Sequence, residues 1–308
     1  MAELLTLQNF IDGKFVPCAQ YMDSYDPSTG QPHARVPDSD NKEVDLAVQA
    51  AKKAFPGWSK TPVKERARVM MKIADLVESR LQEFAKAESK DQGKPVWLAE
   101  LVDIPRVLLN MRSFAAAIQN HVNRSTVLKE QGAVNYTTHN PVGVAGLISP
   151  WNLPLYLLTF KIAPAIAVGN TVVCKPSEMT SVTAWMFAGV LNEAGLPPGV
   201  VNMVFGVGPK CGAALVQHPD VPIISFTGST ATGRYIMENS APYFKKLSLE
   251  LGGKNAAIVF EDSDLEKCLP GCTRSGFTNQ GEVCLSTSRI FVQRSIYKTF
   301  LERFINAT

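Results

Sequence analysis

From Val142 onward, short runs rich in β-branched residues alternate with stretches of helical periodicity, and this alternation constrains the fold more than any other feature. Runs at 142–148, 171–174, 200–204, 222–226, 246–251 and 256–260 read as strands. Segments near 155–167, 179–194, 209–217, 229–238 and 264–277 read as helices. Strands that are parallel need long crossovers, and helices supply them while covering the sheet. The fold class expected is α/β with a doubly wound parallel sheet.

The residues before this region read differently. Phe10-Ile11-Asp12-Gly13-Lys14-Phe15 sets Asp-Gly between apolar runs, a two-residue hairpin signal. Val44, Ala47, Val48, Ala51 and Phe55 recur at helical spacing. A second helix is expected to open at Thr61-Pro62, with Thr61 as N-cap, and to carry Val63, Met70, Ile73, Ala74, Val77 and Leu81 on one face. A third amphipathic segment runs from about Trp97 to Ile118. The polar stretch 123–140 reads as an extended arm. At the other end, 297–308 looks like an unfinished amphipathic helix with neither cap nor glycine stop.

Composition narrows the function classes. A chain of 308 residues suggests about two domains, and 45% hydrophobic against 19% charged residues provides for a large core. Lys plus Arg (31) exceed Asp plus Glu (28) by 3, without a basic block, which argues against nucleic acid or an anionic membrane as partner. The cysteines at 18, 174, 211, 268, 272 and 284 are too few and scattered for a disulfide scaffold. No secretory or mitochondrial signal is visible at the N-terminus, so a reducing, cytoplasmic compartment is expected. The stretch 141–160 is uncharged, but Pro150, Asn152 and Pro154 interrupt the ~20 apolar residues that a membrane span requires.

Several segments could carry chemistry. Gly206-Val207-Gly208-Pro209-Lys210-Cys211-Gly212 misses a dinucleotide fingerprint by one spacing, and Gly228 to Gly233 lacks the Lys-Ser/Thr of a P-loop. Each follows a strand and opens a helix, where N–H groups can face a pyrophosphate or simply make a turn. Lys175-Pro176-Ser177-Glu178 ends a strand, where it can hydrogen-bond a ribose diol or form a solvated ion pair. Cys284 fits a nucleophile or a small buried hydrophobe. Cys268 and Cys272 are four apart, but Pro270 and Gly271 are expected to break the helix that would align them, and no metal site is expected. Glu250 ends a strand-like run and suits either a general base or a solvated edge.

Pro150-Trp151-Asn152-Leu153-Pro154, Lys175-Pro176-Ser177-Glu178, Phe226-Thr227-Gly228-Ser229, Glu250-Leu251-Gly252-Gly253-Lys254 and Asn279-Gln280-Gly281-Glu282-Val283-Cys284 occur in the order and approximate spacing of the aldehyde dehydrogenase superfamily, which the chain resembles over essentially its whole length. Asp103-Ile104-Pro105-Arg106, 155–160 and the N-terminal hairpin are most similar to the branch that oxidises an aminomuconic semialdehyde to its acid in tryptophan (kynurenine) catabolism. The resemblance implies a Rossmann-like NAD-binding domain over 1–122 and 141–251, an oligomerisation arm at 123–140, and the start of a second α/β catalytic domain at 252–308.

By the same resemblance Cys284 is the nucleophile, Asn152 with the Cys284 N–H stabilises the oxyanion, and Glu250 activates the hydrolytic water. Lys175 and Glu178 would hold the adenosine ribose of NAD, with Glu178 repelling the 2′-phosphate of NADP. Ser229 would meet the pyrophosphate, while Trp151, Gly228 and Gly252 line the cofactor cleft. Arg106, with Arg112 as the less favoured alternative, would hold a substrate carboxylate. The partners implied are a small-molecule aldehyde and, in full-length members, further copies of the chain.

Full-length members continue well beyond the nucleophile, so the resemblance implies a C-terminally truncated chain. Little activity and poor solubility are expected of it, with Phe291, Phe300, Leu301 and Phe304 losing their packing partners. Two other readings stay open: a dehydrogenase for retinal or another apolar aldehyde, which Arg106 argues against, and a non-catalytic nucleotide-binding fragment.

Overall fold

Every residue of Val144–Ile148 and Thr171–Lys175 is buried, as strands covered on both faces must be. The computed structural model describes residues 4–308, so part of the N-terminal stretch read for a targeting signal lies outside the described residues. The chain divides into two units. The first runs to Thr227 and includes Ala231–Leu249; the second comprises Gly228–Thr230 and Glu250–Thr308.

The first unit opens with β1 (Leu5–Thr6), β2 (Asn9–Ile11), β3 (Lys14–Val16), β4 (Tyr21–Asp26) and β5 (Gln31–Pro37). Helices α1 (Asn41–Lys60), α2 (Val63–Ser79), α3 (Leu81–Gln92), α4 (Val96–Leu98) and α5 (Ile104–Gln119) follow. Next come β6 (Ser125–Leu128), β7 (Ala133–Tyr136), β8 (Val144–Ile148), α6 (Pro154–Ala167), β9 (Thr171–Lys175), α7 (Val182–Glu193) and β10 (Val201–Met203). The series ends with α8 (Ala213–Gln217), β11 (Ile223–Thr227), α9 (Thr230–Ser240) and β12 (Lys246–Glu250).

These strands build a seven-stranded sheet in the order β12-β11-β8-β9-β10-β2-β3. β11, β8, β9 and β10 run parallel, and β2 joins β10 antiparallel and returns as β3. The α/β class and the parallel strands are those expected. Asp12 and Gly13 take φ of 51° and 74°, the left-handed pair that a two-residue hairpin demands. α1 lays Val44, Ala47, Val48 and Ala51 against β8, β9 and β10. α6 and α7 pack together and against α2, whose Met70, Ile73, Ala74 and Val77 are buried. A fully buried Val, Ile or Met side chain among these contributes about 1.5–3 kcal/mol.

Three local expectations need correction. Thr61 is not the N-cap of α2; it closes α1, its hydroxyl donating to the Gly57 carbonyl, and α2 begins at Val63 without a side-chain cap. Leu81 belongs to a separate helix, α3, because the chain turns at Arg80. The helix expected from Trp97 does form, but Ala99–Asp103 is a π-turn between α4 and α5 in which the Ile104 N–H reaches back to the Ala99 carbonyl. Pro105 accounts for it: a proline has no N–H, and its ring presses on the carbonyl four residues earlier. A small sheet, β1-β5-β4, is also present, and no sequence pattern announced it.

Residues 123–140 contain the antiparallel β6–β7 hairpin, with Val127, Val134 and Tyr136 exposed. Among the described residues no helix is long and apolar enough to cross a membrane.

In the second unit β13 (Asn255–Val259) pairs parallel with β14 (Thr287–Val292), accompanied by α10 (Leu265–Phe277) and α11 (Tyr297–Ala307). Val259, Leu269, Cys272 and Phe300 form its core, with Phe304 packed alongside. Phe300 and Phe304 therefore have partners, contrary to expectation, while Phe291 and Leu301 are exposed. Nor do Pro270 and Gly271 break α10. The helix is continuous, capped by the Asp264 carboxylate, and it brings the Cys268 and Cys272 sulfurs to 3.8 Å.

Candidate active site

In the first unit, β9 and β11 flank β8, so the order of strands reverses there, and open α/β sheets bind ligands at the carboxyl ends of such strands. A cleft of about 370 Å³ lies at that place, walled by Ile148, Pro209, Val216, Ala231, Tyr235 and Ile236. Lys175, at the end of β9, lines it too. Its side chain is 5% exposed and donates to Glu178 Oε2 at 2.6 Å, which removes the solvated-loop reading. Apolar walls suit a flat heteroaromatic base, and the Lys–Glu pair offers a donor and an acceptor to a sugar diol. A carboxylate there disfavours a phosphate on that sugar. The cleft fits the adenosine part of a dinucleotide.

The Gly206–Gly212 loop does not behave as a phosphate cradle. Gly208–Gly212 is a π-turn, and the N–H groups of Lys210, Cys211 and Gly212 all bond back to the Val207 carbonyl.

Trp151 and Asn152 occupy the turn between β8 and α6, Trp151 exposed and Asn152 half-buried. Pro154 starts α6, its fixed φ suiting a first helical position. Two buried charged side chains reach this turn. Lys94 Nζ donates to the Asn152 backbone carbonyl at 3.2 Å and forms an ion pair with Asp103, both side chains 0% exposed. Glu88 Oε1 accepts from the Leu155 N–H at 3.1 Å, and its Oε2 accepts from the Thr183 hydroxyl at 2.5 Å. Burial, reinforced by the Asp103 charge and opposed by Lys94, pushes Glu88 up to about 7. Burial likewise raises Asp103, against the pull of Lys94.

Glu88 and Lys94 did not emerge from the sequence, and Asp103 appeared there only within a family motif, with no role assigned. A signal was present: Glu88 shares the face of α3 that buries Phe84 and Ala85, where a charge is out of place unless partnered.

Arg106 is exposed on α5, stacked over the Tyr156 ring at 5.0 Å, with Nη2 donating to the Tyr156 hydroxyl at 2.9 Å. Its partner is thus neutral. Arg112 is held by Asp75 and Glu78 at 2.8 and 2.5 Å, and these bonds pull Glu78 below the usual carboxylate range. The two arginines are therefore not equivalent: Arg112 is already neutralised.

In the second unit, Asn279, Gln280 and Gly281 take φ of 54°, 57° and 77° in succession. A left-handed conformation costs a non-glycine residue about 1–2 kcal/mol, and such strain concentrates at functional loops. The turn closes through the Glu282 N–H to the Asn279 carbonyl at 2.9 Å and leads to Cys284. Among the cysteines, Cys284 alone is exposed. Burial pushes Cys211 up to about 12 and raises Cys174 still further, so neither supplies a thiolate near neutral pH.

Asn255 Nδ2 donates to the Cys284 carbonyl at 2.7 Å, and a Cβ on Gly253 would lie 3.1 Å from that same oxygen. The segment after Glu250 thus packs on the backbone of Cys284, a role for Asn255 that the sequence did not disclose. Glu250 is exposed, and its carbonyl accepts from the Gly228 N–H at 3.0 Å. Ser229 and Gly252 are exposed, and nothing would crowd a side chain at Gly252.

The chain belongs to the aldehyde dehydrogenase family, whose family model matches residues 15–308. It is 63% identical over 304 residues to the 2-aminomuconic semialdehyde dehydrogenase of Danio rerio, and 61% over 305 residues to that of Homo sapiens. Each alignment covers 99% of this chain but only 62% and 63% of those proteins, so the chain spans less than two thirds of their length. An aldehyde dehydrogenase from Bacillus cereus, solved as its NAD+ complex, superposes with a TM-score of 0.95 at 39% identity, covering 98% of this chain and 62% of that one. Superfamily and branch are those the sequence motifs indicated.

Proposed function

We propose that the chain carries the cofactor cleft and the nucleophile of an NAD-dependent dehydrogenase that oxidises an aldehyde to a carboxylic acid. The substrate proposed is a carboxylate-bearing semialdehyde, 2-aminomuconic semialdehyde going to 2-aminomuconate in tryptophan catabolism. The observation that carries this reading is the buried Lys175 paired with Glu178 in an apolar cleft at the carboxyl ends of the parallel strands.

Each residue then has a task. The Cys284 thiolate attacks the aldehyde carbon, forming a C–S bond and an oxyanion. The Asn152 side-chain amide is the proposed donor to that oxyanion, a contribution of about 3–4 kcal/mol to the barrier. NAD, when bound, supplies the hydride acceptor. Collapse of the oxyanion leaves a thioester on Cys284. Glu250 takes a proton from the water that cleaves it, releasing the acid and the thiolate. Arg106 supplies a guanidinium for the distal carboxylate of the substrate. The 123–140 arm is proposed to pair with other copies of the chain, and the compartment proposed is the cytoplasm.

Steady-state NADH formation with 2-aminomuconic semialdehyde, retinal and a short aliphatic aldehyde, by this chain and by one extended to the length of its relatives, tests the reading. The muconic semialdehyde should give the highest kcat/KM; preference for retinal would overturn the substrate assignment.

A further inference from the structure

Lys94 is the largest charged side chain that the first unit buries completely, and its surroundings are arranged around one target. Gly93, left-handed at φ 94°, ends α3. The Lys94 N–H then donates to Gln92 Oε1 at 3.1 Å, and its carbonyl accepts from the Ser89 hydroxyl at 2.6 Å. With both backbone groups fixed, the side chain runs inward to Asp103 and to the Asn152 carbonyl. Six residues earlier, Glu88 holds the Leu155 N–H at the start of α6. The turn carrying Asn152 is thus gripped before and after by two side chains from one short segment.

Stability does not explain this arrangement. Removing two charges from water costs several kcal/mol each, and a well-packed apolar pair in place of a buried ion pair is often neutral or stabilising. Asp103 Oδ1 has no hydrogen-bond partner among the described residues, which makes the cost higher. What the ion pair does provide is position. Lys94 is tied to Asp103 at a defined point and places a second donor on a defined carbonyl.

We propose that Lys94 and Glu88 are positioning residues, a clamp that fixes the Trp151–Leu153 turn and thereby the direction in which Asn152 presents its side-chain amide. The catalytic part of this inference rests on the oxyanion role proposed for Asn152. The clamp itself does not.

The test compares the whole chain with Lys94→Met/Asp103→Leu, Glu88→Gln, Glu88→Leu and Asn152→Ala. Amide exchange of Trp151, Asn152, Leu153 and Leu155 should rise about tenfold or more in Lys94→Met/Asp103→Leu, with a thermal midpoint equal to or above that of the parent. Glu88→Gln, which keeps an acceptor for Leu155, should leave exchange unchanged, and Glu88→Leu should raise it. Unchanged exchange in Lys94→Met/Asp103→Leu, or a rise spread evenly over the first unit, would overturn the clamp. In turnover, measured in a chain extended to the length of its relatives, the double variant should lose about ten- to a hundredfold in kcat with the KM for NAD unaltered. Adding it to Asn152→Ala should cost nothing further. If Asn152→Ala itself leaves kcat intact, the oxyanion assignment fails while exchange still decides the clamp.

Discussion

The side-chain amide of Asn255 and the carbonyl of Cys284 are 2.7 Å apart, a hydrogen bond that ties the start of β13 to the backbone of the exposed thiol. The backbone is held while the sulfur stays accessible. Iodoacetamide applied to the folded protein should therefore modify Cys284 first, and Cys174 and Cys211 only after unfolding. Peptide mapping over time reads the order; early modification of Cys174 would contradict the burial described above.

In a chain extended to the length of its relatives, Cys284→Ala should abolish aldehyde oxidation while NAD binding, followed by titration, survives. Glu250→Gln should instead slow release of the acid, so a rapid-mixing experiment should still show a first burst of NADH. Substantial turnover in Cys284→Ala would make another residue the nucleophile.

Glu178→Ala removes a carboxylate from the cleft and also frees the buried Lys175 ammonium. Both changes favour an added phosphate. The preference for NAD over NADP should shrink by about tenfold, on the scale of one charge-assisted hydrogen bond. Equal affinity of the parent for both cofactors would remove Glu178 from this role.

Glu88 offers a pH signature. Its carboxyl rises from an ordinary 4.5 to about 7 in the folded protein. Between those values the folded state binds the proton that the unfolded chain has released, so this group lowers stability progressively as pH rises from 4.5 to about 7, with no further loss above. The total is of order 3 kcal/mol. Glu88→Gln should abolish this slope, so the variant gains on the parent as pH rises. Denaturant titrations from about pH 5 to about pH 8 measure the gap; a constant gap would assign the slope to another group.

In the same extended chain, Arg106→Ala should raise KM for a carboxylate-bearing semialdehyde about ten- to a hundredfold, the scale of a lost charged hydrogen bond, and leave an aliphatic aldehyde almost unaffected. Tyr156→Phe should show a smaller effect of the same kind, since the hydroxyl orients the guanidinium. Equal losses on both substrates would make Arg106 a surface residue only.

How much of this was legible follows from what each segment buries. Val144–Ile148 and Thr171–Lys175 are buried throughout, so their composition alone announces parallel strands. β4 and β5 read Tyr21–Asp26 and Gln31–Pro37, polar and only partly buried, and carry no such imprint. The Lys175–Glu178 pair was visible as a motif, but that Lys175 is inside the protein was not. The burial of Glu88, Lys94 and Asp103 was hidden for a related reason: a charge on or between helices looks solvated until its partners, up to 95 residues away at Thr183, are placed. The continuity of α10 through Pro270 was misjudged because proline removes one hydrogen bond, a loss that the packing of Leu269, Cys272 and Phe300 outweighs.

The π-turn at Ala99–Asp103 holds one residue in reserve. With i→i−5 bonds, five residues complete about the rotation that four complete in an α-helix, so the extra residue is taken up without changing the faces of the helices on either side. Deleting one residue between Ala99 and Asp103 would let a regular helix form while Val107, Leu108 and Met111 stay buried and Arg106 stays over the Tyr156 ring. The cost would fall on Pro105, whose ring would then meet a regular helical turn, about 3 kcal/mol. The same deletion within α5 has no such slack: it would rotate every later side chain by about 100° and turn the core face outward. Single deletions in the π-turn should therefore lower the thermal midpoint far less than single deletions in α5.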